Sequence, residues 1–115
     1  MAVFNLVSEN RRLIPYLCNM PQFLILAADF KDGEALDRRL AVREQHLERA
    51  RKEHAKGVLK VGGASLSDAG KMHGSMLVVE LENEEAVKQW IAEDPYITGR
   101  VWDDVRIEPF KIAII

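Results

Sequence analysis

The chain has 115 residues, 48% of them hydrophobic and 30% charged, with 16 Lys and Arg against 18 Asp and Glu. This length suits one domain with a modest core, and the composition excludes a disordered or low-complexity chain. A formal net charge of −2 provides no cation excess to neutralise phosphates, so nucleic acid is not an expected partner. Nor does any apolar run reach the roughly 18–20 residues of a membrane helix.

Residues 1–21 read as an extension ahead of the patterned chain, and residues 22–115 as one domain. The extension holds the only cysteine, Cys18, which can form no internal disulfide. It reads as an ordinary thiol of a reducing, cytoplasmic setting. Arg11 and Arg12 precede Leu13 to Cys18, a run too short and too interrupted by Pro15 for a secretory signal. A mitochondrial transit peptide and a loosely docked extension are both open readings. Met20-Pro21 marks the expected start of the domain.

Gln22 to Ala28 is an apolar run of strand length, followed by a turn signal from Asp29 to Gly33. Glu34 to Lys56 is helical in pattern: charged, rich in Ala, Leu, Arg and Glu, with Gly57 placed to end it. Val58 to Leu66 is strand-like, and its Gly62-Gly63 pair suggests a bulge or a close approach. A turn signal at Ser67 to Lys71 leads to a strand from Ser75 to Leu81, with His73 expected in the hairpin turn. Asn83 is a good N-cap for a helix expected to run to Asp94 and stop at Pro95. After a loop, Val105 to Ile114 is the last strand, with Pro109 pointing to an edge or a bulge.

The order β-α-β-β-α-β predicts an α+β, ferredoxin-like fold with an antiparallel sheet and both helices on one face. Both sheet faces are apolar in pattern. Leu77 and Val79 oppose Met76 and Val78, and Phe23 and Ile25 oppose Leu24 and Leu26. The face away from the helices therefore needs a cover. A second copy of the chain, making a homodimer, is one candidate; the extension folding back is the other.

At roughly 100° per residue, Leu36, Leu40 and Leu47 fall together and are expected to define the inward arc of the first helix. Arg39, Arg43 and His46 form a stripe bordering that arc. Buried charge is costly unless paired, so the stripe asks for a partner, a ligand or a wet cleft. The alternative is snorkelling arginines and a satisfied core histidine.

In the second helix Val87, Trp90, Ile91 and Asp94 share one face, placing a carboxylate at the helix C-terminus, where the dipole disfavours it. Helices lying side by side on one sheet face would let His46 meet Asp94, with the carboxylate orienting the imidazole. Ser75 interrupts an apolar row, as a site hydroxyl or as one bonded to backbone. Three histidines without regular spacing do not make a metal site, and no phosphate-binding glycine motif is present.

Arg43-Glu44-Gln45-His46-Leu47, Gly62-Gly63, Gly74-Ser75, Asp94-Pro95-Tyr96 and Arg106-Ile107-Glu108-Pro109-Phe110, in this order, resemble the YciI-like (YCII-related) family over Phe23 to Ile112. The resemblance implies a dimeric α+β barrel built from ferredoxin-like subunits, with His46 and Asp94 as the active-site pair. One characterised relative type is a dehydrochlorinase of a chlorinated hydroxyquinol, which makes acid/base or lyase chemistry without a cofactor the nearest analogy. Related barrels include monooxygenases and ligand sensors, so fold does not decide function. The chain departs from the family in its extension and in having Gly-Gly where Gly-Pro is common.

The expected function is therefore an enzyme in which His46, oriented by Asp94, is general acid or base on a small anionic or enolisable molecule. Arg39, Arg43, Ser75 and Tyr96 would bind that molecule, and Trp102 would add pocket wall. The alternative is a non-catalytic small-molecule-binding or dimeric interaction module. Neither a cofactor nor a metal is expected.

Overall fold

The structure, a computed structural model, describes residues 20–115. The expectations placed on the extension, including Cys18, lie outside the described residues. Strand β1 (Gln22–Asp29) buries every second residue: Phe23, Ile25, Ala27 and Asp29 point under the helices. The strand outruns the expected end at Ala28 by one residue, and that residue is a buried acid.

Helix α1 (Ala35–Ala55) is closed by Gly57 at φ +84°, a left-handed conformation that glycine adopts without penalty. Strands β2 (Leu59–Leu66) and β3 (Met72–Glu80) form the expected hairpin. The pairing in this hairpin shifts register twice, between Leu59 and Val61, just ahead of the glycine pair, and between Ser65 and Leu66. Because β3 starts at Met72, His73 lies in the strand rather than in the turn, and Ser75 sits inside the strand rather than at its start.

Helix α2 (Glu84–Ala92) opens on Asn83, whose side chain accepts the Ala86 N–H at 2.9 Å as anticipated. It buries Val87, Trp90 and Ile91 but ends at Ala92. The expected continuation to Asp94 is replaced by a separate short helix α3 (Pro95–Thr98), with Asp94 as its N-cap. Pro95 cannot donate to a helix arriving from before it, yet it suits the first turn of a new one. Strand β4 (Trp102–Phe110) begins and ends earlier than the expected Val105 to Ile114. Pro109 falls near its end, in an edge strand, a position that tolerates proline.

The sheet order is β2-β3-β1-β4, and every pairing is antiparallel. With the helices over one face, this is the ferredoxin-like α+β architecture that the element order predicts. The core between helices and sheet holds Phe23, Ile25, Leu77, Val79, Val87 and Trp90, with Tyr96 and Trp102 closing one end. Across the other face Leu24 pairs with Val78 and Leu26 with Met76, so β1 and β3 are apolar there as expected, while β4 sets Arg106 and Glu108 beside them.

The rotation of α1 differs from the sequence expectation. Leu40 is 54% exposed, whereas Arg39 is 2% exposed and points at the sheet. The inward line is Ala35, Arg39, Val42, His46 and Arg49, and the leucines flank it. A periodicity argument puts leucines inside by default. Here the rotation is decided by a carboxylate waiting on β1.

Candidate functional site

That carboxylate is Asp29. Arg39 grips it with a two-pronged contact, Nε to Oδ2 at 2.9 Å and Nη2 to Oδ1 at 3.0 Å. Both side chains are buried, so the pair neutralises charge that would otherwise be stranded in the core. Arg39 Nη2 also donates to the Gly74 carbonyl and to Ser75 Oγ, each at 2.9 Å, and the guanidinium lies 4.6 Å from the Tyr96 ring centre. Arg39 thus borders the site with its charge already paired to Asp29.

Ser75 Oγ accepts a second bond, from Trp102 Nε1 at 3.0 Å. A hydroxyl oxygen has two lone pairs, and both are taken, so Ser75 has only its own hydrogen left to offer. Its partners are side chains, not the backbone of the bland sequence reading.

Two turns beyond Arg39 along α1, His46 Nδ1 donates to Asp94 Oδ1 at 2.8 Å. The two helices do bring this pair together, but the orienting geometry is not that of a helix C-terminus. As N-cap of α3, Asp94 accepts the Tyr96 N–H on Oδ1 at 2.8 Å. Its Oδ2 takes Arg49 Nη1 at 3.0 Å. A carboxylate only 2% exposed is thereby held by a backbone donor, an imidazole and a guanidinium. The His46 ring stacks on Tyr96, with centres 3.8 Å apart and planes 10° from parallel, and meets Trp102 edge-on at 5.9 Å. Burial pushes the Tyr96 hydroxyl above its ordinary titration range, with the nearby charges of Arg39 and Arg43 working against that shift.

With Nδ1 committed to Asp94, Nε2 is the His46 nitrogen left for chemistry. His46 borders a cavity of about 250 Å³, together with Arg43, Ser75 and Tyr96. Leu47, Leu59, Met72 and Leu77 supply apolar wall. Gly62, Gly63 and Ala64 form a side with almost no side chain, and a Cβ on Gly63 would meet nothing within 4 Å. Space is therefore open at Gly63, whereas a Cβ on Gly62 would touch Leu77 at 3.5 Å. Arg43 is exposed, at the border of the cavity, and is the cation most available to an incoming anion.

The remaining histidines stand apart. His54 Nδ1 donates to the Leu59 carbonyl at 2.8 Å, and His73 is exposed. Among the described residues no cluster of three or more His, Cys, Asp or Glu side chains could hold a metal.

Sequence reasoning missed two residues, Asp29 and Arg49. Each had a signal: Asp29 is in phase with Phe23, Ile25 and Ala27 at period two, and Arg49 lies one helical turn beyond His46.

Residues 22–111, nearly all of the described chain, match the model of the YCII-related domain. The chain belongs to the YCII-related domain family. A relative from Haemophilus influenzae, an uncharacterised protein, is 38% identical over 96 residues, spanning 77% of this chain and 95% of the relative. Protein YciI of Escherichia coli is 35% identical over 95 residues, with the same coverage of each chain.

Among solved structures, a 5-chloro-2-hydroxyhydroquinone dehydrochlorinase from Burkholderia phenoliruptrix, in complex with 2,5-dihydroxybenzoquinone, superposes with a TM-score of 0.69. It is 26% identical, and the match covers 80% of this chain and 95% of that one. The YCII-related fold thus has an enzyme among the structures this chain resembles.

Proposed function

We propose that this YCII-related protein is an enzyme that moves a proton on a small anionic or enolisable molecule, using His46 and Asp94 and no cofactor. The observation that carries the reading is the bond from His46 Nδ1 to a buried Asp94, with the imidazole bordering a cavity of about 250 Å³. That hydrogen bond holds the proton on Nδ1 and leaves the Nε2 lone pair for substrate. His46 would take a proton through Nε2, and Asp94 would stabilise the imidazolium so formed. Arg43 and the Ser75 hydroxyl would meet the oxygens on which negative charge collects. The same imidazolium returns the proton in a later step, to the substrate or to a leaving group, and this restores the free base.

The likeness to a dehydrochlorinase bound to a dihydroxybenzoquinone supports a hydroxylated ring or a comparable enolisable carbonyl as ligand. The mostly apolar walls and modest volume suit one ring.

The test is a thermal-shift screen of small acids and hydroxyquinones, 2,5-dihydroxybenzoquinone included, on wild type and His46→Ala, followed by turnover assays on each hit. Stabilisation confined to wild type, with turnover falling about 10²–10⁴-fold in His46→Ala, is the expected result. Binding without turnover in wild type would replace the enzyme with a binding module. Hits that shift both proteins equally would remove the site from this cavity.

A further inference from the structure

Asp94 is buried, and a buried carboxylate needs a compensating cation. Two groups compete for that role, His46 on Oδ1 and Arg49 on Oδ2. Arg49 is held for it from two further sides. Its Nη2 donates to the Trp90 carbonyl at 2.7 Å, and its guanidinium lies 4.4 Å from the centre of the Trp90 ring. The indole is anchored in turn, with Nε1 donating to Glu53 Oε1 at 2.7 Å. A more distant contact, to Glu93 at 3.9 Å, involves an exposed carboxylate and adds little.

We infer that Arg49 is a positioning residue whose charge balances Asp94, so that His46 is free to gain and lose a proton. Without that guanidinium, the only cation left to Asp94 among the described residues is His46 itself. The pair then becomes a buried ion pair, and its imidazole holds the proton too tightly to act as a base. Every other group around His46 leaves this role open. On α1, Arg39 is committed to Asp29, and Arg43 is exposed with no bond to Asp94 among the described residues. From α3 comes the Tyr96 phenol, and from β4 the uncharged Trp102 indole.

This inference rests on the reading of His46 as the proton-transfer group, but its test needs no substrate. The His46 ring proton is followed by NMR across pH, assigned by its loss in His46→Asn. Relative to wild type, Arg49→Met is expected to bind the proton at His46 about tenfold more tightly, the effect of one lost neighbouring charge. Arg49→Lys, which keeps the charge without the fork, is expected to stay within about threefold of wild type, since a point charge still faces the carboxylate.

Arg51→Met is the control. It removes a cation from the same helix whose partner is the exposed Glu44, and it should leave His46 unmoved. Arg49→Gln, which can still donate to the Trp90 carbonyl, answers in place of Arg49→Met should that variant not fold. Equal proton affinity in wild type and the charge-removing variant overturns the role. So does an Arg49→Lys shift as large as that of Arg49→Met. Loss of turnover in His46→Ala is a separate observation, so the enzyme reading and this inference can fail independently.

Discussion

At the scale of single residues, the described domain's stability and its site share the same buried charges. Asp29 and Arg39 form a two-pronged ion pair with side chains 4% and 2% exposed. Removing one partner leaves the other charge in the core, which costs about 3–5 kcal/mol. Asp29→Asn is therefore expected to lower the urea midpoint by a large share of a small domain's stability. A change below about 1 kcal/mol would show that solvent reaches the guanidinium.

Glu53 works at lower stakes. Burial pushes its carboxyl up, but hydrogen bonds from Lys56 and from the Trp90 indole outweigh burial and hold it below its ordinary value of 4.5. A depressed folded value means stability that is present above the unfolded value and lost as pH falls through the folded one. The stability gap between wild type and Glu53→Gln should therefore be full at neutral pH and close below about pH 4.5. Denaturant midpoints measured from pH 7 to pH 3 would read it, and a gap independent of pH would assign Glu53 a packing role alone.

At the scale of elements, the short α3 decides whether a site exists. It presents the Tyr96 N–H to Asp94 and the Tyr96 ring to His46. It can lie this close to α1 because Gly99 follows it. A Cβ at that position would stand 2.8 Å from the Pro95 carbonyl and 3.3 Å from Val42. Gly99→Ala is expected to cost roughly 1–3 kcal/mol by overpacking and to disturb the His46–Tyr96 stack. Ring-current shifts of the His46 protons would report the disturbance. Unchanged shifts together with unchanged stability would show that α3 can move away without consequence.

At the scale of the whole molecule, the face of the sheet opposite the helices carries an apolar strip of Leu24, Leu26, Met76 and Val78, bordered by Arg106 and Glu108 of β4. A second copy packed on this face is the proposed cover, because a symmetric partner meets one apolar patch with an identical one. Light scattering should then give twice the mass of one chain, and Met76→Lys should shift the population towards single chains. A wild-type mass of one chain would end the homodimer proposal.

The element order apart from α3, the Asn83 cap, the edge position of Pro109 and the His46–Asp94 encounter were legible in the amino-acid sequence. The first three follow from local chemistry (period two or 3.6, a side chain capping the next turn, a proline that cannot donate), and the fourth from two helices expected to share one sheet face. The rotation of α1 was not legible. Apolar periodicity assumes that charges face water, and Arg39 breaks this rule only because Asp29, ten residues away on another element, waits to receive it. The end of α2 was misread for a related reason: Asp94 is in phase with the apolar face of α2, yet its side chain is used as the cap of the next helix. Arg49 carried only a weak mark, its place one helical turn beyond His46, which it shares with solvated neighbours. Its partners are Asp94 and Trp90, far along the chain, and only the packing of α1 beside α2 and α3 selects it. Periodicity is a property of neighbours in sequence, whereas the pairing of a buried charge is a property of neighbours in space, and the tertiary fold alone supplies the second.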